Sequence, residues 1–535
     1  MNTNSFYPLI SFFSHGYKVL FKKVIILDGY TDEPAGLGVP PYINTYPRLI
    51  AGAIWVVDKA IHVKYWTIDT VRSNLNKFIQ EAIQSDIIVF ITGPEVPGKY
   101  IGGTPLRFDE VEKLCFLLRD KTKILVGPAA RYGFGGGGGT IAVERRRLKR
   151  YFDELVIGDP EIYFYELAKY GLERADPYRM RETYDLANQA FIYGSRIIKQ
   201  HPNYGWNLVV EIETFRGCPR YITGGCSFCI EPRYGKPLYR RPEDIVREIK
   251  QLYNFGARHF RLGKQPDILA YMAKDTGIKE FPEPNIDALR KLFLGIRNNA
   301  PGLRVLHIDN VNPGTIIHNK TKAIDAMKII IKYHTPGDVA ALGIESFDPR
   351  VVKMNNLKVT PEEAIEAIRI INQVGSHRGW NGLPHLLPGI NLLYGLPGET
   401  KETYILNYEY LSRLLQENLL VRRINIRKVT VLENTPLWLK KNTVYKLLRK
   451  HQGLYTKYRL KIMNNIDKPM LKKILPPGTL MRYLYVEKQV GNHVIARMPG
   501  SYPIAVKIPY SLPLRKIIDA RIKSIAAKSV LAEPV

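Results

Sequence analysis

Short apolar runs recur along most of the chain, and the intervals between them carry helical periodicity. Runs at residues 24–27, 87–91, 124–126 and 155–157 do not alternate with polar positions, so they read as strands buried on both faces. Residues 71–84 and 108–119 have helical length and pattern between them. The pattern predicts a doubly wound α/β domain over 22–206. Its strand ends run into Asp28-Gly29, Thr92-Gly93-Pro94, Gly127-Pro128 and Gly158-Asp159-Pro160. Ligand crevices of such sheets lie at those ends. A glycine run at 133–139 follows the third strand and reads as a flexible surface loop, since it matches neither phosphate-binding fingerprint.

From 207 to 436 the strand–helix alternation becomes regular. Strands are expected at 208–213, 259–262, 304–309, 339–344, 389–394 and 423–430, with helices at 242–255, 285–298, 320–332, 361–374 and 401–417. Six such units suit a partial (βα)6 barrel, with its mouth at the strand carboxyl ends. Residues 437–476 read as a basic helical linker. Beyond 477 five short runs, at 480–486, 493–498, 504–508, 517–525 and 529–533, are separated by turn residues. They predict a small β-barrel of the OB type over 477–535. Residues 1–21 are apolar only in patches broken by Pro8, His15 and Gly16, and are expected to be a leader rather than a membrane span.

Charge changes this picture. The 535 residues carry a net +28. Residues 437–476 hold eleven Lys/Arg against one Asp, and 477–535 hold nine against three acids, so over half of the excess lies in the last fifth of the chain. Such a field attracts polyanions, nucleic acid above all. The four cysteines exclude a disulfide scaffold and suggest a reduced, cytoplasmic location with no membrane partner.

Three of those cysteines fall together as Cys218-x7-Cys226-x2-Cys229 on a Gly-rich stretch directly after the first barrel strand, hence at the mouth. A structural zinc would want a fourth close ligand, and the nearest candidates, Cys115 and His259, are distant in sequence. A redox Cys-x-x-Cys pair would leave Cys218 unused. Three thiolates that hold three corners of an iron–sulfur cubane, leaving one iron open for chemistry, account for all of them.

The segment Gly224-Gly225-Cys226-Ser227-Phe228-Cys229 resembles the cysteine loop of the radical S-adenosylmethionine (SAM) superfamily, with Phe228 at the aromatic position and a first gap longer than usual. Gly263-Lys264-Gln265-Pro266, Gly343-Ile344-Glu345-Ser346-Phe347 and the turn Gly395-Leu396-Pro397-Gly398-Glu399-Thr400 resemble later segments of that superfamily in the same order. The resemblance implies a [4Fe–4S] cluster on Cys218, Cys226 and Cys229 as catalytic and metal residues. It also implies SAM contacts at Phe228, Gly263, Gln265, Glu345, Ser346 and Gly395. The implied reaction is reductive cleavage of SAM to a 5′-deoxyadenosyl radical, fed by a flavodoxin- or ferredoxin-like electron donor. His307, Asp309 and Asn310 are further candidates at the mouth.

The N-terminal region is similar in layout to cobalamin-binding domains of some members, without their His motif. The C-terminal piece resembles the TRAM domain of tRNA-modifying enzymes, with Arg482, Lys488, Arg497 and Lys507 placed to meet phosphate and Tyr483, Tyr485 and Tyr502 to stack on bases. Modification of RNA, tRNA foremost, is the expected function. The alternatives are cobalamin-dependent radical methyl transfer to a protein or small molecule, and a non-catalytic nucleic-acid-binding protein with a structural metal.

Overall fold

A computed structural model describes residues 21–33, 36–93, 102–526 and 528–535. The expected leader lies outside them but for Phe21. The chain begins with β1 (Lys23–Asp28), sends β2 (Tyr42–Ile43) out to another sheet, and returns through β3 (His62–Thr67), β4 (Ile87–Ile91), β5 (Thr122–Val126) and β6 (Glu154–Leu155). These form a parallel sheet in the order β3-β1-β4-β5-β6. Strand β3 escapes the apolar pattern because His62 and Lys64 interrupt it. It lies at the sheet edge, where polar side chains can reach water.

The core strands are β7 (Val209–Glu213), β8 (His259–Gly263), β9 (Val305–Ile308), β10 (Asn310–Val311), β11 (Asp338–Glu345), β12 (Leu386–Tyr394) and β13 (Arg423–Lys428), all paired in parallel. The expected third strand is split at Asp309, whose carboxylate is taken by Arg261. It runs as β9 beside β8 and resumes as β10 beside β11. The result is a partial (βα)6 barrel made of two sheets.

Both outer edges of this barrel are covered by the N-terminal region. Strand β2 pairs with β7. Residues 139–142 run beside the continuation of β13: Gly139 N–H donates to Val429 C=O, Val431 N–H to Thr140 C=O, and Ala142 N–H to Val431 C=O. The glycine run is therefore docked on the barrel rather than a free surface loop. Helix Tyr46–Val57 then crosses helix Asp185–Gly194 at backbone contact. A Cβ on Gly52 would lie 1.8 Å from Ala190 O, and one on Gly194 would lie 2.0 Å from Arg48 O. Arg48, fully buried, pairs with Glu248 and donates to the Asn44 and Glu211 carbonyls, and Arg240 shares the same Glu248.

After helices Lys441–Lys450, Gln452–Ile462 and Lys468–Ile474, strands β14 (Leu480–Val490), β15 (His493–Arg497), β16 (Ala505–Ile508), β17 (Ile517–Ile525) and β18 (Ser529–Pro534) close a barrel in the order β14-β15-β16-β18-β17. It seats against the amino ends of the core strands. The Tyr485 hydroxyl lies 3.0 Å from His259 Nε2 and accepts from Arg304 at 2.8 Å. The loop after β15 enters the core: Ser501 N–H donates to His307 Nδ1, Ser501 Oγ to Ile308 C=O, and Tyr42 Oη to Gly500 C=O. Among the described residues, no helix is long and apolar enough to cross a membrane.

The helix contact has a checkable consequence. Alanine is the better helix former, but at Gly52 it drives Cβ into the Ala190 carbonyl. We expect Gly52→Ala to lower the unfolding free energy by about 1–3 kcal/mol in denaturant titrations, opposite in sign to its helix propensity.

Candidate active site

The cysteine loop leaves β7 and folds on itself. A single turn over Pro219–Thr223 is followed by two glycines at positive φ, Gly224 at 81° and Gly225 at 65°. A side chain on Gly225 would also meet Pro232 at 2.2 Å, so only glycine takes this bend. Ser227 Oγ donates to Asn355 Oδ1 at 2.8 Å, and Asn356 Nδ2 donates to the carbonyls of Thr223 and Gly225, which fastens the loop to the chain after β11. Arg220 is buried and donates to Cys226 Sγ at 3.1 Å while held by Glu280 at 2.7 Å.

All three cysteines are free thiols, Cys218 and Cys226 buried and Cys229 partly so, and they line one cavity of about 770 Å³. Burial pushes the Cys218 thiol up to about 12. It also holds Cys229 well above the ordinary range, with the neighbouring thiols and Glu231 adding to the shift. Three crowded sulfurs, next to Arg220 and Lys358, are a donor set that a positively charged iron centre would satisfy. Among the described residues no three such side chains share a single ion position. A cubane does not require that, since each cysteine binds a different iron.

Opposite the loop, β11 bulges between Gly343 and Glu345. Glu345 sits at φ +68°, a conformation costing a non-glycine residue about 1–3 kcal/mol and commonly found at functional sites. Its carboxyl is pushed up to about 7 by burial, against the pull of Lys358 and Arg427. Lys358 Nζ lies 4.0 Å from Glu345 and donates to Gly343 C=O at 2.9 Å. A Cβ on Gly343 would lie 2.1 Å from that ammonium, so the glycine makes room for it.

Phe228, Glu345, Asp309 and Asn310 line the cavity. Five other sequence candidates do not. Gly263 makes room for the Glu211 carboxylate that Arg261 holds. Gln265 is buried, donating to Leu262 C=O with its Oε1 unpartnered. Ser346 Oγ accepts from Asp348 N–H at the start of the next helix. Gly395 N–H donates to Glu399, which also binds Tyr404 and His451, so that turn is braced from behind. His307 serves the Ser501 loop instead. Among the C-terminal candidates, Lys488 and Lys507 are exposed, and Arg482 is exposed beside Asp519. Arg497 is buried, paired with Glu487 and facing the cavity rather than the surface. Tyr485 is buried in the seat of the barrel, and Tyr502 lines the cavity, while Tyr483 is exposed.

Sequence reasoning missed Arg220, Lys358 and the Arg423-x-Asn425-x-Arg427 alternation on β13, all of which line the cavity. The alternation was visible as polar residues at 423, 425 and 427 separated by Ile424 and Ile426 in an expected strand. The N-terminal region also contributes Asp32, Glu33, residues 36–37 and residues 39–42 to the same wall. Glu33 pairs with buried Lys264 at 2.8 Å. At the carboxyl edge of the N-terminal sheet, Asp159 is held by Arg181 and Arg216, so that edge packs onto the barrel mouth.

Residues 212–411 match the radical SAM superfamily. An uncharacterized protein of Methanocaldococcus jannaschii is 43% identical over 97% of this chain and 94% of its own length. A tRNA-2-methylthio-N(6)-dimethylallyladenosine synthase of Azobacteroides pseudotrichonymphae is 25% identical over 36% of this chain and 37% of its own. Among solved structures, the cobalamin-dependent SAM radical enzyme OxsB with aqua-cobalamin bound aligns with 80% of this chain and 56% of its own, at 12% identity and a TM-score of 0.49.

Glu345 titrates higher in the folded chain than its ordinary value of 4.5. The folded state then holds a proton that the unfolded state has lost, so stability falls as pH rises from about 4.5 to about 7 and is level above. For cluster-free protein, we expect the loss of unfolding free energy between pH 5 and pH 8 to be smaller in Glu345→Gln by on the order of 2 kcal/mol, read from denaturant curves at the two pH values.

Proposed function

The chain belongs to the radical SAM superfamily and is an enzyme of that class; we propose that its substrate is RNA, tRNA foremost. The observation that carries this reading is the closed C-terminal barrel. It is fixed to the core through Tyr485 and Ser501 and presents Arg482, Lys488 and Lys507 on its outside. A basic small barrel of this kind is suited to track a phosphate backbone. The match to a tRNA-2-methylthio-N(6)-dimethylallyladenosine synthase supports the same substrate class.

Cys218, Cys226 and Cys229 would hold a [4Fe–4S] cluster, which when bound with SAM supplies reductive cleavage of the sulfonium bond and a radical able to abstract hydrogen. Arg220, donating to Cys226 Sγ, offsets thiolate charge and fixes that sulfur. Glu345, ionised above pH 7, accepts from ribose hydroxyls. Lys358 places a cation where a carboxylate of SAM can meet it. Phe228, Asp32, Glu33, residues 36–37 and residues 39–42 form part of the wall. An external one-electron donor is required by this chemistry.

A second reading, cobalamin-dependent methyl transfer to a protein or small molecule, is supported by the N-terminal sheet, whose carboxyl edge packs onto the same mouth and carries a buried, unpartnered Thr92 hydroxyl. One cobalt per chain in anaerobically purified protein would favour it over the first.

Anaerobically reconstituted protein should bind about four irons and release 5′-deoxyadenosine from SAM under a strong reductant, with Cys226→Ala losing both; zinc in place of iron would reject the assignment. Transfer RNA should bind with a steep salt dependence. Exchanging Arg482, Lys488 and Lys507 for Gln should weaken binding and flatten the log–log salt slope by roughly 2–3. An unchanged slope would remove the RNA reading.

A further inference from the structure

We infer that Arg220 is a positioning residue that sets the redox poise of the cysteine loop: its guanidinium favours the one-electron-reduced state of a cluster held there and so raises the reduction potential. Arg220 lies two residues after Cys218, in the turn Pro219–Thr223 that the long first gap accommodates. That turn returns the side chain to the next cysteine, where Nη1 donates to Cys226 Sγ at 3.1 Å. Among the described residues, no other side chain donates to a sulfur of the loop.

The remaining nitrogens are held as firmly. Nε donates to Glu280 at 2.7 Å, and Nη2 donates to the Asn356 carbonyl at 2.9 Å and to Asn356 Oδ1 at 3.3 Å. Thr223 Oγ1 donates to the same Glu280 oxygen at 3.0 Å, which ties the turn to the counter-ion. A planar fork with every nitrogen engaged is pre-organised, and it keeps one N–H aimed at sulfur in either oxidation state.

Reduction brings one electron from the flavodoxin- or ferredoxin-like donor and adds one negative charge to the cluster and its thiolates, with no bond to the protein made or broken. A cation and N–H donor at a ligand sulfur stabilise that extra charge, and hydrogen bonds to the sulfurs and net charge are among the terms that set such potentials. Glu280 opposes the effect from a wetter position. The Arg220 side chain is 2% exposed and meets the sulfur directly, whereas the Glu280 side chain is 29% exposed and meets Arg220 through Nε. Water screens the carboxylate more than the guanidinium, so the cation prevails. The inference rests on the cluster assignment and is independent of the substrate.

The test is a potentiometric titration of the full chain, reconstituted anaerobically with iron and sulfide and without SAM, followed by visible absorption and electron paramagnetic resonance. At the wild-type midpoint, the ratio of reduced to oxidised cluster should fall about tenfold in R220Q, the order of one charge-assisted hydrogen bond. R220K keeps the charge but loses the fork, and its ratio should fall less. E280Q leaves the guanidinium and the cysteines in place, and its ratio should rise. A wild-type ratio in R220Q loaded with about four irons would overturn the inference. If R220Q takes up less iron, E280Q decides the matter, and a ratio unchanged or lowered there would overturn it. A wild-type chain that takes zinc in place of iron would reject the cluster assignment and this inference with it, whereas a loaded cluster indifferent to Arg220 and Glu280 would reject this inference alone.

Discussion

A partial barrel of parallel strands that curves without closing leaves two outer edges of unpaired backbone groups, and the rest of this molecule is arranged around those edges. Strand β2 satisfies one, and residues 139–142 extend along the other. Both come from the N-terminal region, so the sheet that precedes the barrel in sequence must sit over its mouth. The same constraint turns what would be a wide opening into a walled cavity. The loop through Ser501 does the equivalent at the floor, donating to the Ile308 carbonyl from inside the barrel.

Closing the barrel this way buries many charges. Arg48 and Arg240 converge on Glu248, Arg261 bridges Glu211 and Asp309, and Arg181 bridges Asp159, Glu161 and Glu213. Buried pairs add little net stability, but removing one partner costs about 3–5 kcal/mol, so each network locks the relative placement of the elements it joins. Arg181 and Arg216 join the N-terminal sheet to the mouth, and Arg261 fixes the break between the two barrel sheets at Asp309. Against this paired background, Cys218, Cys229 and Glu345 stand out because burial makes each hold its proton more tightly than usual.

Local strain marks the same place. Glu345 keeps a left-handed conformation, and Gly343 lacks a side chain where Lys358 needs space. After β7, Gly224 and Gly225 bend the cysteine loop back on itself. The mouth thus concentrates conformations that an ordinary βα loop avoids, and a hydrogen bond from Ser227 to Asn355 and one from Asn356 to the Gly225 carbonyl hold the cysteine loop in place.

By itself the sequence determined the reaction class and the strand–helix order. Buried strands announce themselves as unbroken apolar runs, and three cysteines within one short loop must lie close together however the remainder folds. Glu345 was legible through the resemblance of Gly343-Ile344-Glu345-Ser346-Phe347 to a segment of the superfamily. Tertiary structure alone decided what surrounds them. Lys358 lies in a loop with no local signal, the glycine run at 133–139 became a docked edge only because β13 offered it partners, and Arg497 and Tyr485 turned inward when the C-terminal barrel seated on the core. Strand β3 was hidden by the polar residues that its edge position tolerates. Periodicity and short spacing report contacts made along the chain, whereas pairing between distant edges and the burial of single charges depend on which surfaces meet.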